Sequence, residues 1–178
     1  MVATFAQPVS FAPESPLHRP PMHYLRSCLG RFATGVAVVT FESQDGRRGI
    51  TVNSFTSVSM EPPLILVSLQ RTVRAHQSMA GSAFTVNILG AEQQALALQF
   101  AGKPSLEPEW TDGEFAPRLA GVLSWFECTS WADYDGGDHT LFLGEVQHFD
   151  YRSGDALGFV GGQFARIPQP HMGHEGLW

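Results

Sequence analysis

The feature that most constrains the fold is a series of short β-forming runs that do not alternate regularly with helical segments. These runs are rich in β-branched and aromatic residues and are VAVVTF (36–41), LILVSL (64–69), FTVNIL (84–89), VLSWFECTSW (122–131) and HTLFLGEVQHFDY (139–151). Only two or three modest helices are predicted between them, which differs from the repeating β-α-β order of a parallel sheet. The pattern therefore predicts a mainly β domain, an antiparallel barrel with a few flanking helices.

Helical patterning is confined to three short segments. The first carries an apolar stripe at helical spacing, made of Leu25, Cys28, Leu29 and Phe32. The second, RAHQSMAG, ends at Gly81, and the third, AEQQALALQFAG, spans residues 91–102. Between the first two helices, Asp45–Gly46 signals a hairpin turn, and the following strand is predicted to begin at Ile50.

The length of 178 residues predicts a single domain. Residues 1–21 hold five of the twelve prolines and contain neither a basic start nor an unbroken apolar run. We therefore expect this segment to be a flexible arm, or one that lies on a partner subunit, rather than a signal peptide or a membrane span.

Charge and cysteine content narrow the classes of partner. Charged residues make up only 16% of the chain, which suggests that part of the surface is buried against another subunit. The net charge of −6 comes without a basic stripe and argues against nucleic acid binding. Cys28 and Cys128 form no CxxC pair, which fits reduced thiols in a cytoplasmic protein, although one disulfide between them stays open.

One strand-like stretch, ITVNSFTSVS (50–59), is unusually polar. Period-2 alternation would place Thr51, Asn53, Phe55, Ser57 and Ser59 on one face. This face is either an exposed strand surface on which threonine simply favours β structure, or a groove whose hydroxyls and backbone N–H groups meet a polar ring or a phosphate.

Two further patches are candidates for binding. SLQRTVRAH brings Arg71, Thr72 and Arg74 to the end of a strand and the start of a helix, a position that favours an anion unless the arginines are simply solvated. In DYDGGDHTL, a tight glycine turn delivers Asp138–His139 to the start of a strand. There the histidine either takes part in a site or only caps the loop.

Several familiar sites are missing from the sequence. It contains no GxGxxG after a strand, no GxxxxGK[ST] and no GxSxG, so Rossmann, P-loop and nucleophile-elbow sites are not encoded. The only close histidine pair, in HMGH (171–174), lies in a polar tail and is a weak candidate for a metal site, so no metal is predicted.

The order of these motifs resembles the short-chain flavin reductases, the reductase components of two-component flavin-dependent monooxygenases. The motifs that carry the resemblance are GRFATGVAVVT, GITVNSFTSVSMEPPLILVSLQRTVRAH, FTVNIL, QFAGK, GDHTLFLGEV and GGQFARI. The resemblance covers residues 22–168, between the arm and a tail at 169–178. It implies an FMN-binding split β-barrel of Greek-key type, with flavin in a groove near the interface of a homodimer.

The resemblance also implies roles for individual residues. It assigns flavin binding to Thr34, Thr51, Val52, Asn53, Ser54, Ser57, Ser68, Thr72, Arg74, Phe100, Ala101 and Gly102. Of these, Ser68, Thr72 and Arg74 would hold the phosphate end. His139 would lie beside the nicotinamide as the one catalytic side chain, and Phe164 would shape the same pocket where relatives often carry tyrosine.

The implied reaction is hydride transfer from NADH or NADPH to FMN or FAD, with the reduced flavin diffusing to a separate monooxygenase. The cofactors supply the reactive atoms, so the protein needs no acid–base pair for this step. Two alternatives stay open: a split barrel that keeps FMN as an electron carrier or sensor, and an oxidase similar to pyridoxamine phosphate oxidase. The oxidase would require a second basic cluster, for which the chain has few cations.

Overall fold

The computed structural model describes residues 21–170, and the weak histidine-pair candidate at 171–174 lies outside them, as does nearly all of the N-terminal arm. The helices are α1 (Met22–Leu29), α2 (Arg74–Met79) and α3 (Gln94–Phe100), the last preceded by a 3-10 turn (Ala91–Gln93). The strands are β1 (Thr34–Gly35), β2 (Ala37–Ser43), β3 (Gly46–Val52), β4 (Thr56–Met60), β5 (Pro63–Gln70), β6 (Phe84–Ile88), β7 (Trp110–Thr111), β8 (Arg118–Leu119), β9 (Ser124–Gly136), β10 (His139–Tyr151), β11 (Ala156–Val160) and β12 (Gln163–Ile167).

A seven-stranded antiparallel sheet, in the order β3-β2-β6-β9-β10-β5-β4, forms the body of the fold. Its two edge strands, β3 and β4, are consecutive in the chain and joined only by residues 53–55. Six strand spacings would separate the edges of a flat sheet by about 29 Å, whereas this link spans at most about 15 Å. The sheet must therefore curl until its edges meet, which confirms the predicted barrel.

The curled sheet buries apolar residues on both faces. Val39, Phe41, Val67, Phe84 and Phe142 belong to the main core cluster, together with Met79 from α2. On the other face, residues at alternate positions, such as Val36 and Val38, pack with α3 and β11 in a second cluster. The first five residues of β2, Ala37 to Phe41, are consequently all buried rather than alternately buried and exposed, as expected for a strand covered on both sides.

A second, three-stranded sheet, in the order β1-β11-β12, lies beside the barrel. Strands β11 and β12 form a hairpin whose turn, Gly161–Gly162, has positive φ at both residues (60° and 83°). Glycine adopts this backbone conformation without a steric penalty. The motif GGQFARI therefore consists of this turn followed by β12, which carries Phe164.

Two sequence-based expectations were wrong. The stretch 50–59 is not one alternating strand: β3 starts at Gly46 and ends at Val52, and β4 starts only at Thr56. The break exists because the two halves belong to opposite edges of the curled sheet. Helix α1 ends at Leu29, so Phe32 of the predicted stripe lies beyond it, and the described part of the chain buries none of the helix residues.

The remaining features of the described residues concern the thiols and the membrane. Both cysteines are free, Cys28 exposed and Cys128 buried, so the open possibility of a disulfide between them is not realised. Burial, followed by the nearby charge of Glu127, raises the pKa of Cys128 to about 12. No helix in the part of the chain between residues 21 and 170 has the length and hydropathy needed to cross a bilayer.

Candidate functional site

A cavity of about 410 Å³ opens where β1, the start of β2, the link between β3 and β4, and the start of β9 meet. Its volume falls within the range of small-molecule sites. Three phenylalanines contribute to the wall: Phe55 stacks on Phe126 at 5.5 Å between ring centroids, and the largely exposed Phe32 lies at the mouth. Among the residues predicted to bind flavin, Thr34 and Asn53 line this cavity.

Thr34 contributes the most informative polar atom of this cavity. It lies in β1, where its backbone is opposite Phe159 of β11. Its Oγ1 atom is buried and has no hydrogen-bond partner among the described residues. Buried hydroxyls are normally paired, so we expect a bound molecule or a second subunit to supply the partner. Oγ1 reaches such a partner only after the side chain rotates, because the atom itself has almost no accessible surface. The cavity and this hydroxyl fit a planar heteroaromatic ligand with polar edges.

Most other side chains of the 51–54 stretch are engaged inside the protein. The Thr51 hydroxyl donates to the Ala97 carbonyl of α3 at 2.6 Å, and Val52 packs in the main core. Ser54 accepts a hydrogen bond from the backbone N–H of Ser68 and donates to the Ser68 carbonyl, both at 3.0 Å. Asn53 alone of these four presents an exposed side chain, so the others can reach a ligand chiefly through their backbones.

The predicted phosphate end lies where β5 leads into α2. Thr72 and Arg74 are exposed there, and no carboxylate among residues 21–170 is within ion-pairing distance of Arg74. Arg71, the other cation of the motif, instead pairs with Asp135 of the β9–β10 hairpin and donates to the His139 carbonyl at 3.3 Å. Arg74 is therefore the cation of this motif that remains available to bind an anion, whereas Arg71 holds the β9–β10 hairpin to the end of β5.

His139 is the first residue of β10 and lies opposite Gln70 of β5. Its Nδ1 atom is 2.7 Å from a carboxylate oxygen of Asp138, and the hydrogen bond from His139 lowers the pKa of Asp138. His139 does not line the 410 Å³ cavity, but it shares the end of β5 with Arg71 and Thr72. The structure thus groups His139 with the phosphate-end residues rather than with Thr34.

The remaining predicted residues lie on two other elements. Phe100, Ala101 and Gly102 form the end of α3, where Phe100 packs edge-on against Trp110 and covers Gly49 of β3. A Cβ atom on Gly49 would come within 2.7 Å of the Phe100 ring, so glycine is required for this approach. Ser57 is exposed on edge strand β4, two residues after Phe55 of the cavity wall, but it does not itself line the cavity.

Phe164 of β12 packs edge-on against Phe159 at 5.5 Å, and Phe159 lies opposite Thr34. The terminal hairpin therefore supports the cavity strand β1 from the side, because β11 pairs with β1 in the same sheet. Sequence reasoning placed Phe55 on the candidate groove face without giving it a role, and it missed Phe126 as a cavity residue. Phe55 lies in the link between β3 and β4 and Phe126 in β9, and nothing local indicated that the curled sheet would stack them.

Comparisons with known proteins agree on one family. Residues 29–168 match the flavin reductase like domain. The chain is 41% identical over 146 residues to an FMN reductase (NADH), SmoA, of Agrobacterium fabrum, covering 80% of this chain and 84% of that protein. It is 39% identical over 154 residues to an NADH-dependent FAD reductase of Streptomyces globisporus, covering 80% and 84% of the two chains.

Solved structures give the same result. The flavin reductase PheA2 superimposes with a TM-score of 0.81 at 31% identity, covering 84% of this chain and 100% of that one. The NADH:FAD oxidoreductase SgcE6 of Streptomyces globisporus, in complex with NAD and FAD fragments, gives a TM-score of 0.78 at 37% identity over 85% and 95% of the two chains. With its curled antiparallel sheet, its aromatic cavity and these matches, the chain belongs to the flavin reductase-like domain family.

Proposed function

We propose that this protein is an NADH-dependent flavin reductase that reduces FMN or FAD and releases it to a separate monooxygenase. The structural observation that carries the proposal is the aromatic cavity of about 410 Å³ with the unpartnered Thr34 hydroxyl in its wall. The family match supplies the chemistry: relatives are named NADH-dependent reductases, and one is named the reductase component of a trigonelline monooxygenase.

When both are bound, NADH supplies a hydride and the flavin ring receives it, so the redox chemistry belongs to these molecules. The protein binds, orients and shields them. Phe55 and Phe126 provide an apolar wall that excludes water from one side of the ring, and the Thr34 hydroxyl and the Asn53 amide supply polar contacts at its edge. The backbones of Thr51, Val52 and Ser54 offer further donors.

The flavin phosphate is assigned to Arg74, with Thr72 and Ser68 beside it. Arg74 suits this role because it is an exposed cation with no carboxylate in pairing distance among residues 21–170, so binding an anion does not break an existing ion pair. The end of α3, at Phe100 to Gly102, is assigned to the remaining polar part of the flavin. Ser57 is kept as a peripheral contact from β4.

The family resemblance, rather than the cavity geometry, assigns His139 and Phe164 to the nicotinamide side, because neither side chain lines the 410 Å³ cavity. The Nδ1 atom of His139 is held by Asp138 at 2.7 Å, which restrains the ring and leaves Nε2 free to contact a ligand. This makes His139 a positioning group for the dihydronicotinamide rather than an acid or base, because hydride transfer moves no proton from the protein.

A homodimer is part of the proposal. Helix α1 has no buried residue, and four large side chains on it are exposed: Met22, Tyr24, Leu25 and Leu29. Phe32, which lines the cavity, is 77% exposed. A second copy packed on α1 would cover this surface and close the mouth of the cavity. We also place the protein in the cytoplasm, where its two free thiols would stay reduced.

The deciding experiment is anaerobic oxidation of NADH and NADPH by the purified protein, with and without added FMN or FAD. We expect oxidation of NADH that depends on added flavin and a reduced flavin that passes through an ultrafiltration membrane. A protein that retains flavin and oxidises neither nucleotide would instead be an electron carrier or sensor. Retained flavin with oxygen-dependent turnover of another substrate would indicate an oxidase.

A further inference from the structure

A second cavity, of about 310 Å³, lies at the same end of β9 as the first. Arg118 and Leu119 of β8 form one side, and the backbone from Ala120 to Leu123 forms the floor. Trp125 and Tyr151 supply aromatic surface. The lining is mostly apolar apart from Thr111, Arg118, Arg152 and the exposed residue Asp150 at the rim. Nothing in the proposed reductase chemistry uses this space.

Arg118 is the distinctive group in this cavity. Its guanidinium carbon lies 4.0 Å from the centroid of the Trp125 ring, which is close stacking. One terminal nitrogen donates to the Asp112 carbonyl at 3.0 Å. The Nε atom is buried without a hydrogen-bond partner, and no carboxylate among residues 21–170 pairs with the guanidinium. Arg118 is therefore an oriented cation whose charge is not neutralised by the described protein.

Arg152, the other arginine of the cavity, provides the contrast. Its Nε donates to the Val122 carbonyl at 3.0 Å, and one terminal nitrogen donates to the Gly121 carbonyl at 2.6 Å and to Glu92 at 2.9 Å. The backbone N–H of Glu92, followed by the Arg152 hydrogen bond, lowers the pKa of Glu92, which keeps this ion pair charged. Arg152 is thus already bound to the cavity floor and to Glu92. Arg118 is therefore the arginine that can bind an anion in this cavity.

The two cavities are separate sites. Trp125 lines the second cavity, whereas its neighbours Ser124 and Phe126 line the first. Because consecutive side chains of a strand point to opposite faces, the cavities lie back to back across β9. A ligand in the second cavity would therefore not occupy the flavin cavity.

We propose that this second cavity binds a small monoanionic aromatic carboxylate. The planar guanidinium fork of Arg118 suits a carboxylate, while Leu119, Val122 and the Tyr151 ring provide an apolar slot for one aromatic ring. A volume of about 310 Å³ is at the small end for ligand sites and fits a single-ring acid. Asp150 at the rim and the net charge of −6 disfavour a doubly charged phosphate.

The test is calorimetric titration of the full-length, flavin-free protein with benzoate, using benzamide and inorganic phosphate as comparison probes. We expect saturable benzoate binding, with benzamide weaker by roughly tenfold or more because it lacks the charge that Arg118 recognises. Absence of benzoate binding, or equal binding of benzamide, would overturn the proposal. Phosphate binding tighter than benzoate binding would overturn the assignment to a carboxylate. Because no flavin is present, these outcomes do not depend on reductase activity.

Variants of Arg118 and Asp150 test whether benzoate binds in the second cavity. Arg118→Gln is expected to weaken benzoate binding by roughly tenfold or more, whereas the matched control Arg48→Gln, on the exposed strand β3, leaves it unchanged. Circular dichroism checks that both variants fold. If Arg118→Gln does not fold, Asp150→Asn serves instead and is expected to strengthen benzoate binding by about two- to threefold. Unchanged affinity in the folded Arg118→Gln protein, or in Asp150→Asn, would refute the location.

Discussion

Replacing Thr34 by valine tests two consequences of its buried hydroxyl: a cost to the stability of the flavin-free protein and a contribution to flavin binding. Valine keeps the β-branched shape that β1 requires and exchanges only the hydroxyl for a methyl group. Because Oγ1 has no partner among the described residues, the hydroxyl carries a desolvation cost of about 1–3 kcal/mol in the flavin-free protein. Thr34→Val should therefore raise the free energy of unfolding of the flavin-free protein by about 1 kcal/mol or more.

The same substitution should weaken flavin binding. If the Thr34 hydroxyl pairs with the flavin, its loss removes one neutral hydrogen bond, about 1 kcal/mol, and raises the flavin dissociation constant roughly fivefold. Urea unfolding at fixed protein concentration measures the first effect, and quenching of flavin fluorescence measures the second. The two effects have opposite signs, which an ordinary packing defect would not produce.

Thr40→Val is the matched control. The Thr40 hydroxyl is equally buried but donates to the Pro117 carbonyl and accepts from the Asn87 amide at 3.0 Å. Its loss leaves these groups unpaired and should destabilise the protein by about 1–3 kcal/mol. If Thr34→Val proved as destabilising as Thr40→Val, the Thr34 hydroxyl would have a hydrogen-bond partner in solution. That result would refute its description as an unpaired group.

Further predictions address the other assignments. Arg74→Ala should weaken flavin binding by about 1–3 kcal/mol, measured by fluorescence titration, and an unchanged dissociation constant would remove Arg74 from the phosphate site. His139→Ala should raise the KM for NADH a few-fold, on the order of 1 kcal/mol, with a modest effect on kcat, and steady-state kinetics with both values unchanged would contradict its role. Ser54→Ala should lower the free energy of unfolding by about 1–3 kcal/mol, measured in urea, whereas Asn53→Ala should weaken flavin binding with little effect on stability. Cys128 keeps its proton up to about pH 12 in the folded state but loses it near pH 9 when unfolded, so stability should fall by about 1.4 kcal/mol per pH unit between these values, and by less in Cys128→Ala.

The sequence predicted the strands whose signals are local. Strand β10 matches its predicted bounds, residues 139–151, because its apolar run begins directly after a glycine turn. The same logic failed for residues 50–59, where the side-chain alternation looks continuous but the chain crosses from one sheet edge to the other. Edge membership depends on which distant strands pair, and no local pattern encodes it. The stacking of Phe55 on Phe126 was unpredictable for the same reason.

The position of the flavin cavity follows from the way the barrel closes. Where β3 and β4 meet, the chain must leave one edge of the sheet and join the other within three residues, and these residues cannot make regular strand pairs. Their polar groups must find other partners, and Ser54 pairs with the backbone of Ser68. Just before the link, the side chain of Thr51 in β3 pairs with a carbonyl of α3. Among the described residues, none pairs with the side chain of Asn53, which lines the cavity. The polar stretch is thus explained by closure of the barrel, and only the groups that closure leaves unpaired are available to a ligand.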